Sequence, residues 1–65
     1  MTVDKARELL TNQAQVASMY TRNGARLILA EVQREHGQQT VDALIRELDL
    51  ENIFGFAPGT KFKGA

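Results

Sequence analysis

The side chains equipped for chemistry are few and fall in three short stretches. Glu31, Glu35 and His36 form the first. Two carboxylates four residues apart share one face of a helix, and a neighbouring histidine supplies a third potential metal ligand. The spacing departs from the Glu-x-x-His pattern of di-iron bundles, which needs i,i+3. These residues would therefore hold a metal only if an oligomer interface brought two such clusters together. Without a partner cluster they read as a solvated helix end, with His36 near the negative end of the dipole.

Arg22 and Arg26, with Asn23 and Gly24 between them, form the second stretch. Two arginines four apart suit a phosphate at a helix start, or, together with Lys5 and aligned across a dimer, a nucleic-acid backbone. No glycine-rich phosphate loop accompanies them, so the alternative is a polar outer face. The third stretch is Lys61, Phe62 and Lys63, which joins one aromatic to two cations, as at membrane surfaces and on RNA. Three residues are too few to anchor a protein to a membrane alone. One histidine and no cysteine leave little for nucleophilic catalysis, and Ser18 and Thr21 have no base nearby in the sequence. These residues point to binding rather than to an enzyme, and to no cofactor.

Composition narrows the classes further. Sixty-five residues make one domain, and a domain of that size buries only about 60% of the surface its unfolded chain exposes. Disulfides and thiolate metal sites are unavailable as reinforcement, which leaves self-association, as a homodimer or tetramer. Basic and acidic residues balance at 8 each, against a general electrostatic binder of nucleic acid. The distribution along the chain is uneven. Residues 1–37 carry five basic and four acidic groups, residues 38–54 one and four, and residues 55–65 two and none. The longest apolar run is four residues, far short of the roughly 20 that span a bilayer. The first ten residues lack the apolar core of a signal peptide, and a cytoplasmic location is expected.

The elements that must position these groups are helical. Residues 27–30 are the densest apolar run, and Val32 falls one turn beyond Ile28. Upstream, Val3, Ala6, Leu10, Ala17, Tyr20, Gly24 and Leu27 step by 3, 4, 7, 3, 4 and 3, a heptad seam with Gln13 in the missing slot. Asn23-Gly24 is a common helix stop. The seam nevertheless keeps its phase through the pair, and Arg22 and Arg26 would sit badly at a new N-terminus. One long helix over about 3–36 is predicted; a break at Asn23-Gly24 would give three helices in all. Gly37 ends it. A shorter helix over about 39–54 follows, with Val41, Leu44, Ile45 and Leu48 on one face and an Asp42–Arg46 pair outside.

The predicted fold is all-α, a single helical domain: long helix within 1–37, second helix within 38–54, and an ordered aromatic tail over 55–65. A short connection at Gly37 makes the two helices an antiparallel hairpin with arms of roughly 50 and 22 Å. Half of the long stripe is then left for another chain, through Leu10, Ala14, Ala17, Tyr20, Gly24, Leu27 and Ile28, giving a helical bundle. Pro58-Gly59 suits a type II turn in the tail. Ile53, Phe54, Phe56 and Phe62 are the expected docking points for a different protein. The function expected is a small interaction or regulatory module that homo-oligomerises.

Overall fold

In the computed structural model, which describes residues 1–63, the chain folds into four helices, with no strand among the described residues. Thr2 starts α1 (Val3–Gln15): its hydroxyl accepts the Lys5 amide at 3.1 Å, and Asp4 sits in the first turn. The helix stops at Val16, whose backbone is extended. Ser18 then starts α2 (Met19–His36). Its hydroxyl accepts the Thr21 amide at 3.2 Å, and the Thr21 hydroxyl accepts the Ser18 amide at 2.7 Å. This is a reciprocal capping box with threonine in the place usually held by Glu or Gln.

The predicted continuous helix over 3–36 is therefore corrected to two helices, and the break lies at residues 16–18 rather than at Asn23-Gly24. Packing explains both points. α1 returns along α2 in the opposite direction, since Gln13 lies beside Gly24 while Met1 reaches Glu35. The Gln13 amide group occupies space 3.1–3.4 Å from where a Cβ on Gly24 would stand, so this glycine admits a neighbouring helix and stops nothing. The α1 half of the heptad seam is filled from within: Ala6 and Leu10 are wholly buried in the chain's own core. A 34-residue helix would be about 50 Å long, whereas the longest extent of the Cα trace is 26 Å.

Gly37 alone separates α2 from α3 (Gln38–Glu47). At φ +92° its amide donates to the carbonyls of Gln33 and Val32 at 3.1 and 3.2 Å, the closing bonds of a helix end. α3 buries Val41, Leu44 and Ile45, the face its periodicity marks. Leu48 and Asp49 interrupt the predicted second helix, Asp49 in the left-handed region at φ 56° that Asp tolerates better than most residues. The short α4 (Leu50–Phe54) follows and ends at Gly55. α1 packs on α2, α2 on α3, α3 on α4 and α4 on α1, closing a ring around Leu10, Leu29, Leu44, Ile45 and Leu50, none more than 1% exposed.

The tail completes that core. Phe56 stands 5.8 Å from Phe54 and edge-on to Phe62 at 5.2 Å, and all three rings are buried. The turn at Pro58-Gly59 forms, with Gly59 at φ +91° and the Thr60 amide donating to the Ala57 carbonyl at 3.2 Å. Three polar side chains clamp the segment to the helices. Asp42 accepts the Gly59 amide at 2.8 Å, Gln38 donates to the Thr60 carbonyl at 2.8 Å, and Gln33 accepts the Phe62 amide at 3.2 Å. Gln38 also bridges its neighbours, donating to Asp42 at 2.9 Å and accepting from Gln33 at 2.8 Å. Asp42 is spent here: among the described residues no ion pair joins it to Arg46, contrary to the spacing expectation.

Candidate functional site

α2 covers the core with one side and presents two surfaces with the rest. Ala25, Leu29 and Val32 face inward. About half a turn away, Met19, Tyr20, Asn23 and Leu27 lie along one stripe at helical spacing. Met19 is 79% exposed, Tyr20 90% and Leu27 45%, and Val16, just before the helix, is 70% exposed. Among the described residues, these are the large apolar side chains that the ring of helices leaves uncovered.

The second surface is cationic. Arg22 and Arg26, one turn apart on α2, meet Lys61 and Lys63 across a cleft of about 410 Å³ whose floor includes Phe56 and Phe62. No acidic residue lines it. The clamp on the tail backbone brings the two pairs together, since it fixes residues 59, 60 and 62 around the lysines. Arg22 is held in place. Its Nε–H donates to the Phe54 carbonyl at 3.0 Å, and its guanidinium carbon lies 4.9 Å from the centroid of the Phe56 ring, within cation–π range. Among the described residues its two terminal NH₂ groups make no hydrogen bond, and none of the four cations is paired with a carboxylate.

The remaining expected residues distribute as follows. Lys5 sits on the exposed side of α1 beside Glu8 at 3.5 Å, outside the lining of the cationic cleft, so it does not align with Arg22 and Arg26 within one chain. Glu31 and Glu35 converge on the Met1 ammonium, at 3.5 and 2.6 Å, and His36 Nε2 lies 2.9 Å from the Met1 carbonyl oxygen. The ammonium, by hydrogen bond and charge, holds the Glu35 carboxyl below its ordinary value, and Glu35 raises the ammonium in return. Among the described residues no three His, Cys, Asp or Glu side chains are grouped to hold a metal ion.

Of the seven residues expected at an oligomer interface, Ala17, Tyr20 and Leu27 are exposed. Ala14 and Ile28 are half-buried against the core, Gly24 lies under Gln13, and Leu10 is fully internal. The docking expected of Phe54, Phe56 and Phe62 has no exposed ring to act through, because folding buries all three; Ile53 is half-buried beside them. Spacing rules miss the Gln33–Gln38–Asp42 clamp, although Gln38 and Asp42 stand at the i,i+4 separation that favours such a bond. No helix among the described residues is long and apolar enough to cross a membrane. The chain matches no protein-family model, no curated protein and no solved structure.

Proposed function

We propose that the chain is a small protein-interaction module that pairs with a second copy of itself through the outer face of α2. The observation that carries this reading is the gathering of exposed Met19, Tyr20 and Leu27 on one side of α2, with exposed Val16 just ahead of the helix. Scattered apolar residues are ordinary on a surface, but a contiguous set on a helix face is characteristic of an interface. A two-fold axis sets the same patch of both copies face to face, so one helix surface serves both partners. Tyr20 offers a rigid apolar body with a polar tip, the kind of residue that anchors interfaces. The domain is also small enough to gain stability from such pairing.

The test is sedimentation of the wild-type chain and Tyr20→Glu over a wide concentration range. Tyr20 is 90% exposed, so the substitution spares the core. Two glutamates facing each other across the axis would weaken dimerisation by at least about tenfold, the cost of a buried unpaired charge. A wild-type chain that stays monomeric at every concentration, or a Tyr20→Glu variant that dimerises equally well, overturns the reading.

A further inference from the structure

The cleft between α2 and the tail is independent of the apolar stripe and has a chemistry of its own. We propose that it is a binding site for a phosphate-bearing small molecule, with Arg22 as the fixed anchor and Arg26, Lys61 and Lys63 as its neutralising wall. Charge is the first support. The chain carries no net charge, yet four cations and no acid line this one concavity. Four like charges in one place are unfavourable for the fold, and a multiply charged anion relieves them better than a single carboxylate would. Preorganisation is the second. Phe54 and Phe56 already fix the Arg22 guanidinium, and its free edge presents two NH₂ groups in the fork that matches two phosphate oxygens. A side chain ordered before binding loses little entropy on binding.

Shape and surroundings select a small ligand. The volume, about 410 Å³, falls within the range of small-molecule sites. Phe56 and Phe62 are only 4% and 7% exposed, so neither offers a free face for stacking the bases of a strand. Residues 38–54, which lead into the Gly55 rim of the cleft, carry one basic and four acidic groups and would repel an extended polyanion. The cationic surface is thus confined to the cleft, unlike the long basic footprint of a nucleic-acid binder.

Calorimetric titration of the full chain with pyrophosphate at low salt tests this. Saturable one-to-one binding is expected. Arg26→Ala should weaken it by about tenfold or more, as should Arg22→Lys, which keeps the charge and loses the fork. Arg46→Ala makes the same change in net charge on the exposed side of α3 and should leave affinity within about twofold. Circular dichroism confirms that each variant is folded. Because Arg46 and Arg26 differ only in location, an equal loss in both variants would reduce the effect to overall charge and overturn the site. Absence of saturable binding overturns it too. A short single-stranded oligonucleotide that binds more tightly than pyrophosphate, with steep salt dependence, would replace it with a nucleic-acid surface. None of these outcomes depends on whether Tyr20 mediates dimerisation.

Discussion

The two ends of α2 carry opposite charge clusters that the fold treats differently. At the C-terminal end, Glu31 and Glu35 meet the Met1 ammonium, and His36 meets the Met1 carbonyl. Toward the N-terminal end, Arg22 and Arg26 meet two more cations, Lys61 and Lys63. The first cluster is closed, because its charges are answered within the chain and tie the start of α1 to the end of α2. The second is open. Its organising contacts go to the Phe54 carbonyl and the Phe56 ring, which fix the position of Arg22 without neutralising it. A cluster that the fold orders but does not neutralise is poised for an external anion; a cluster that it neutralises is structural.

Removing the floor of the open cluster should have the largest effect. Phe56→Ala deletes the ring that links Phe54, Phe62 and Arg22. A buried phenylalanine of this kind costs about 3–5 kcal/mol, comparable with the whole stability expected of so small a domain. Chemical denaturation should show the cooperative transition lost or shifted close to zero denaturant. A shift no larger than that of a surface substitution would mean that the tail is not part of the core.

Releasing the tail while sparing the core should have a middle effect. Asp42→Ala removes the acceptor for Gly59 and for Gln38, and the Gly59 amide should exchange with solvent about tenfold faster. The Gly59 amide, with Gln38 second, holds the Asp42 carboxyl below its ordinary range. The stability this gives is therefore present above the ordinary carboxylate range and lost as pH falls through the lowered folded value. Wild-type unfolding followed against pH should show that acid-side loss, and Asp42→Ala should lose less stability on the acid side, keeping the part that Glu35 supplies.

The closed cluster should yield the smallest change, because its charges lie near the surface. Glu35→Gln removes the Met1 partner at 2.6 Å. The carboxyl is lowered, so its contribution is present above its unfolded value and disappears as pH falls through the folded one. The ammonium is raised from 8.0, so its contribution is present below that value and disappears as pH rises through the raised one. The difference in melting temperature between wild type and Glu35→Gln should accordingly be greatest between the two limits and close at both. A difference that does not change with pH would show that the ion pair contributes nothing.

Periodicity and the chemistry of caps and turns foretold the parts of this fold governed by one element at a time. Val41, Leu44 and Ile45 mark the buried face of α3, Gly37 stops α2, and Pro58-Gly59 makes its turn. The break at Ser18 was not legible, because the heptad phase runs on from α1 into α2 although α1 folds back and only its own part of the seam, Ala6 and Leu10, is buried. Gly24, which resembles a stop, is the hollow that receives Gln13. The site was legible in pieces. Arg22 with Arg26 and Lys61 with Lys63 each stand out as cations, but their meeting depends on Gln33, Gln38 and Asp42 holding a segment 17 to 29 residues away. Spacing along one helix carries no information about such a clamp.

If α2 bears two separate binding surfaces, backbone amide chemical shifts show it most directly. Raising the protein concentration should move the resonances of Val16, Met19, Tyr20, Asn23 and Leu27, leaving Lys61 and Lys63 in place. Adding pyrophosphate to dilute protein should move Arg22, Arg26, Lys61 and Lys63, leaving Tyr20 and Leu27 in place. Shifts that appear in both sets together under either change, or in neither set, would contradict the account.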